Sequence, residues 1–261
     1  MKYGFIGCGN MGGALARAVS HTTKDIMLSD FDAQKAQQFA AKLGVTAADN
    51  ATIAKECDRI FLGVKPQIMQ DMLCEIKTEL QEKKPLLITM AAGLKISKIQ
   101  SYAGGNLPVI RIMPNTPVSL GKGMVLYCAD GVKKEIIDDF VADMKYSGTL
   151  DQIDEELMDA GCSVSGCGPA FMYMFADAIA DGGVQCGLTK EQAIKYAAAT
   201  MSGAAEMLLT SSKTPQELTE AVCSKGGSTI EGVNVLKNSD FENIVTECIK
   251  AAFKRNQELG K

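Results

Sequence analysis

Short apolar runs alternate with amphipathic stretches from the amino terminus to about residue 153, and there the alternation stops. Lys2–Ile6, Ile26–Asp30, Arg59–Val64, Leu86–Met90, Val109–Met113 and Met124–Cys128 have the length and content of strands. Between them Asp32–Leu43, Asn50–Glu56 and Gln67–Leu80 carry a helical apolar period, the first running into Gly44 as a stop. Strands alternating with helices of this length predict right-handed βαβ units and a parallel sheet. Ile60-Phe61-Leu62 and Leu86-Leu87-Ile88 are apolar without alternation, as strands are when both sheet faces are covered.

From Asp154 onward the chain reads as helix after helix, with no β-branched runs. Thr189 with Gln192, Thr214 with Glu217 and Ser239 with Glu242 have the spacing of capping boxes, and Pro215 stands at a first helical position. Thr189–Ser211 is long and rich in Ala, Gly and Ser, which allows close helix packing. Helices this apolar around their circumference need a partner to cover them. Two domains are expected, 1–153 and 154–261, with a dimer formed through the second.

Composition changes this picture mainly by exclusion. With 261 residues, 46% hydrophobic and 22% charged, the chain is neither disordered nor collagen-like, and a net charge of −4 leaves no electrostatic footprint for nucleic acid or anionic membrane. The nine cysteines are odd in number and show no C-x-x-C spacing, which favours reduced thiols over a disulfide framework. With one histidine, His21, no zinc site is expected, and a Ser-His-Asp or Cys-His apparatus would have to run through it. His21 sits near the carboxyl end of the first helix, where an imidazole is favourable for helix-dipole reasons alone. The 14 methionines scatter through apolar positions as core filler. No leader-like pattern precedes Lys2–Ile6 and no apolar run approaches ~18 residues, so a cytoplasmic location is expected.

The first predicted strand runs into Gly7-Cys8-Gly9-Asn10-Met11-Gly12 and then a helix to about Ser20. In such a fingerprint one glycine makes the tight turn, the next admits a pyrophosphate, and the third permits close helix–strand packing. Asp30 closes the second strand, where a carboxylate can bond the adenosine ribose and repel the extra phosphate of NADP; it leans the reading toward NADH. The same residues also read as a strand end followed by the helix cap Asp32. Gly63-Val64-Lys65-Pro66 and Met90-Ala91-Ala92-Gly93 lie at further strand exits, where open α/β sheets bind ligands. Lys65 reads equally well as a ligand contact or as a solvated lysine before a helix. Arg111-Ile112-Met113-Pro114-Asn115-Thr116-Pro117 is a rigid exit that can be a structural turn or offer polar groups to a cleft. In the helical half, Ser165–Phe171 and Ser224–Thr229 are glycine-rich segments before helix-like runs. The second places consecutive amides and two hydroxyls where a carboxylate could sit, though an ordinary capped turn would account for it too.

G-C-G-N-M-G, V-K-P, A-A-G, R-I-M-P-N-T-P, S-G-C-G-P-A-F and S-K-G-G-S-T, in this order, resemble the pyrroline-5-carboxylate reductase family over essentially the whole chain. The resemblance implies a Rossmann-type dinucleotide-binding domain followed by an all-α dimerisation domain. It also implies reduction of 1-pyrroline-5-carboxylate to L-proline, the last step of proline biosynthesis, with NADPH or NADH. The cofactor residues expected from the glycine turn and the strand exits are Gly7, Gly9, Asn10, Met11, Gly12, Asp30, Gly63, Val64, Lys65, Pro66, Ala91, Ala92 and Gly93, and the resemblance adds Asn50. Asn50 stands eight residues before Asp58, as the family pattern requires. Ser224, Gly226, Gly227, Ser228 and Thr229 would hold the substrate carboxylate, with Thr229 beside the ring nitrogen as the catalytic residue. A homodimer through the helical domain is implied, open to assembly as an oligomer of dimers. The chain departs from the family pattern at Lys225, where proline is commoner, and at Cys167, where serine is.

A cyclic imine is far more basic than a ketone and can be captured already protonated, so the scarcity of acid–base residues fits this substrate. Two rivals are distinguishable. A β-hydroxyacid dehydrogenase would place a catalytic Lys with a following Asn on a second-domain helix, but Lys195 is followed by Tyr-Ala-Ala-Ala. A nucleotide-binding scaffold would bind cofactor without turning it over.

Overall fold

The computed structural model describes residues 1–259. Its strands are β1 (Tyr3–Ile6), β2 (Ile26–Ser29), β3 (Thr46–Ala47), β4 (Arg59–Leu62), β5 (Leu86–Thr89), β6 (Val109–Pro114), β7 (Gly123–Asp130) and β8 (Gly148–Gln152). They form one sheet in the order β3-β2-β1-β4-β5-β6-β7-β8. The chain winds outward from β1 through β2 to β3, then returns to place β4 on the other side of β1. That reversal opens a crevice above the carboxyl ends of β1 and β4, the place where doubly wound sheets bind ligands. Helices α1 (Asn10–Ser20), α2 (Ala33–Leu43), α3 (Asn50–Glu56), α4 (Pro66–Glu75), α5 (Lys77–Lys83), α6 (Ile96–Tyr102) and α7 (Lys134–Asp143) connect the strands.

The unalternating strands follow from two cores, one on each sheet face. Ile60 and Leu62 join a cluster with Ile6, Leu87 and Val109, while Phe61 between them joins Phe5, Leu28, Ile88 and Ile110 on the opposite side. Phe5 stacks on Phe61 with centroids 4.4 Å apart. Arg59, at the start of β4, is buried and donates to Tyr3 Oη at 2.9 Å and to Asp143 of α7 at 2.8 Å. The Tyr3 hydroxyl donates to the same carboxylate, and burial pushes its pKa upward.

Several expectations need correction. The sheet is not wholly parallel: β7 runs antiparallel to β6, with Pro114 opposite Val125. The link between them, a 3₁₀ turn over Thr116–Leu120, is too short for the crossover that parallel strands require. The predicted helix Gln67–Leu80 is two helices, broken at Ile76 (φ −107°, ψ 10°). Thr189 and Thr214 form their capping boxes, but Ser239 does not: its hydroxyl accepts from the amide of Phe241, one turn position too early.

The chain divides into two compact units, residues 1–167 with 252–259, and Gly168–Ala251. The first takes in the short helix α8 (Met158–Gly161) and a π-helical turn over Cys162–Gly166, because Met158 is fully buried in its core. Arg111 pairs with Glu155 at 3.3 Å in the same unit. Residues 260 and 261 of the expected second domain lie outside the described residues. The second unit holds α9 (Gly168–Gln185), α10 (Lys190–Thr210), α11 (Pro215–Val222), α12 (Ser228–Lys237) and most of α13 (Phe241–Leu259). Ala180, Ala193 and Ala197 are buried where α9 and α10 meet, and Lys190 bridges to Asp177 and Asp181 at 2.6 Å each. Most large apolar side chains of this unit are exposed in the single chain, Met174 by 73% and Leu209 by 78%, so a single copy leaves its helices uncovered. Among the described residues no helix is long and apolar enough to cross a membrane.

Candidate functional site

Three glycines interlock at the crevice. Gly7 leaves β1 with φ +97°, and a Cβ there would stand 2.7 Å from the Gly63 carbonyl group. A Cβ on Gly63 would stand 2.6 Å from the Gly7 oxygen, and one on Gly12 only 2.1 Å from that same oxygen. Packing between main chains therefore demands glycine at all three positions. Gly9 differs. Its backbone is extended (φ −67°, ψ −167°), and no atom lies within 4 Å of where its Cβ would be. Nothing in the chain itself requires glycine there, whereas the close approach of a ligand does. Gly9 also caps α1, whose first turn has neither a side-chain cap nor an acidic residue. The first N–H groups of the helix and the positive end of its dipole are thus left for an anion. A dinucleotide pyrophosphate fits this cradle.

Asp30 follows β2 and faces the glycine turn. Its Oδ2 accepts from the Cys8 amide at 2.8 Å and its Oδ1 from the Asp32 amide at 3.2 Å, so the carboxylate pins the turn to the start of α2. Asp30 and Asn50 share one recess of about 390 Å³ with Ser29 and Asp49. The Ser29 hydroxyl donates to Asn50 Oδ1 at 2.5 Å, which leaves the Asn50 amino group to donate to a ligand. Asp49 caps α3 by accepting from the Thr52 amide at 2.7 Å, and that bond holds its carboxyl below the usual range. Cys8 is buried beneath the turn, its thiol donating to the Ser29 carbonyl at 3.3 Å; burial pushes its pKa up to about 11, so it stays protonated at neutral pH. Cys8, Gly9 and Asn10 line a second recess of about 260 Å³ with Arg17 and Lys35.

The other expected cofactor residues are more dispersed. Met11 and Val64 pack on the two cores, as does Ala92, and Ala91 is buried with its amide donating to Thr89 Oγ1 at 3.3 Å. Lys65 and Pro66 are the N-cap and first residue of α4, a start that carries no side-chain cap. Gly93, with φ +77°, opens onto a separate recess of about 400 Å³ lined by Arg111 and Glu155. Asn115 acts as a latch: its Nδ2 donates to the Ser165 carbonyl at 3.0 Å and its Oδ1 accepts from the Met124 amide at 2.9 Å. His21 ends α1 with its ring 5.2 Å from that of Tyr146. Sequence reasoning missed Ser29 and Asp49; only Asp49 left a signal, since Asp three residues before Thr52 is an N-cap spacing.

In the second unit, Ser224–Gly227 is a tight turn closed by the Gly227 amide donating to the Ser224 carbonyl at 3.0 Å. Gly226 takes φ +71° at its third position, as a type II turn requires. Gly227 then caps α12 without a side-chain bond, so the amides of Ser228 and Thr229 open the helix uncapped and both residues are accessible. A carboxylate is a suitable partner for such an end. Lys225 holds the second position of this turn, the one that favours proline in a type II turn. Lys225→Pro is therefore expected to raise stability by about 0.4–1 kcal/mol, read from urea unfolding.

Similarity to known proteins extends over both units. Residues 155–259 match the family model for pyrroline-5-carboxylate reductase dimerisation, and residues 2–93 match that for NADP oxidoreductase, coenzyme F420-dependent. A pyrroline-5-carboxylate reductase of Aquifex aeolicus is 34% identical over 99% of this chain and 97% of its own. The structure of a pyrroline-5-carboxylate reductase from Coxiella burnetii is similar with a TM-score of 0.93 at 29% identity, covering 100% of this chain and 98% of that one. A Plasmodium falciparum pyrroline carboxylate reductase with NADP bound gives a TM-score of 0.86 at 29% identity, with the same coverage.

Proposed function

The chain belongs to the pyrroline-5-carboxylate reductase family, and from that premise we propose that it reduces the imine of 1-pyrroline-5-carboxylate to L-proline with NADPH or NADH. One observation carries the reading. The alignment with the Aquifex reductase runs over 99% of the chain, so it takes in the glycine cradle of the first unit and the Ser224–Thr229 turn of the second together. Cofactor oxidation on addition of pyrroline-5-carboxylate, followed by absorbance, tests it; dinucleotide binding with no oxidation would mark a scaffold instead.

The reduced nicotinamide supplies the hydride. The chain's own part is to hold and orient. Gly9 through Gly12 present amides to the pyrophosphate, Asn50 donates toward the ribose side, and Gly63–Pro66 and Ala91–Gly93 shape the crevice around the remainder. The Gly227, Ser228 and Thr229 amides clamp the substrate carboxylate, with Ser224 and Gly226 fixing the turn beneath them. The Thr229 hydroxyl bonds the ring nitrogen and keeps the ring oriented. Because the imine arrives protonated, orientation supplies most of the rate and no strong acid is needed. Thr229→Ala should then lower kcat by about tenfold, the equivalent of one hydrogen bond, without abolishing turnover. Steady-state kinetics check this; unchanged kcat and KM would remove Thr229 from the mechanism.

The helical unit forms a homodimer in this reading, its exposed apolar faces covered by a second copy, and the dimers can associate further. The enzyme works in the cytoplasm, where its free thiols remain reduced.

A further inference from the structure

We infer that the recess at the end of β2 is built for an adenosine without a 2′-phosphate, so that NADH rather than NADPH is the reductant; the inference rests on the function proposed above. The recess walls carry two carboxylates, Asp30 and Asp49, and no lysine or arginine. Neither carboxylate is free to turn away. Asp30 is held by the amides of Cys8 at 2.8 Å and Asp32 at 3.2 Å, and Asp49 by the amide of Thr52 at 2.7 Å. The nearest ammonium, that of Lys35, stands 3.6 Å from Asp30 Oδ2 and is already paired with it; Lys35 lines the neighbouring recess with Arg17.

The position between Asp30 and Asp32, beside this strand end, is one from which an arginine could meet a 2′-phosphate. It holds Phe31, whose side chain is fully exposed at 106%. An aromatic ring there offers a face to the adenine and no charge to a phosphate. A phosphate about 6 Å from one carboxylate is disfavoured by a factor of about 3 to 100, depending on how much water screens the pair. Two carboxylates compound that factor, and no unpaired cation in the recess walls offsets it.

The test is a binding titration of the whole protein with NADH and NADPH, and with 5′-AMP and adenosine 2′,5′-bisphosphate as fragments. NADH is expected to bind at least about tenfold more tightly than NADPH, and 5′-AMP more tightly than the bisphosphate. In Phe31→Arg, whose site is fully exposed and carries no packing, NADPH and the bisphosphate should each gain about tenfold or more. Equal or tighter binding of NADPH by the parent chain overturns the inference alone, and so does a Phe31→Arg variant with an unchanged ratio. A chain that binds neither dinucleotide overturns the proposed function and this inference with it.

Discussion

Gly9→Ala is expected to leave the fold nearly intact and to weaken dinucleotide binding by about a hundredfold or more, whereas Gly12→Ala damages both. The difference lies in what each new methyl meets. At Gly9 the added Cβ finds no atom within 4 Å, and the backbone is already extended, so the protein loses only the small advantage of glycine as a helix cap, about 1 kcal/mol or less. The methyl instead occupies the space through which a pyrophosphate reaches the α1 amides, and a displaced anion loses those charge-assisted bonds together. At Gly12 the Cβ falls 2.1 Å from the Gly7 oxygen, a main-chain atom that cannot rotate aside. Helix α1 must lift from β1, at a cost of about 1–3 kcal/mol. Thermal unfolding and fluorescence titration with reduced dinucleotide separate the two cases. A Gly9→Ala chain that binds dinucleotide normally would show that no ligand passes through the cradle.

The second large effect is one of stability. Arg59→Ala should cost about 3 kcal/mol while leaving dinucleotide affinity within about twofold. Arg59 is 2% exposed and holds Tyr3 and Asp143 together, joining β4, β1 and α7 at the end of the sheet away from the crevice. Truncation strands the Asp143 carboxylate and the Tyr3 hydroxyl without their cation. Asp143 is partly open to water, at 24% exposure, which keeps the expected cost at the lower end for a broken buried pair. Urea unfolding reads the loss as a lower midpoint at unchanged slope. A loss below about 1 kcal/mol would mean that water replaces the guanidinium without penalty.

Six of the eight strands, and the position of the glycine turn after β1, were readable from the sequence because they are written in backbone-level constraints. Glycines at 7, 9 and 12 between an apolar strand and a helix are the spacing of a phosphate-binding turn, and the structure adds that Gly7 and Gly12 answer to packing whereas no packing atom stands near Gly9. Direction was harder to read. The antiparallel β7 depends on the length of the Thr116–Leu120 link, which looks in sequence like any proline-rich exit. The break at Ile76 was hidden because the apolar period continues across it. The two-residue strand β3 is too short and too exposed to have a pattern at all. Asp30 stood out by its place at a strand end and Asn50 only through the family resemblance; that the two line one recess, and that Ser29 bonds Asn50 across 21 residues, has no local signature. Ser239 shows the opposite failure, a correct spacing overridden when its hydroxyl met the nearer amide of Phe241.

The antiparallel hairpin also has a bearing on the order in which the chain can assemble. Strands β6 and β7 pair across a short connection, Pro114 against Val125, so their contact closes a small loop and forms at little entropic expense. The crevice above β1 and β4 requires Tyr3 to find Arg59, with α1, β2, α2, β3 and α3 folded into the intervening chain. The half of the sheet that carries the glycine turn is therefore the half closed by the longer search, and a ligand of that crevice could act only on a chain that has already completed it.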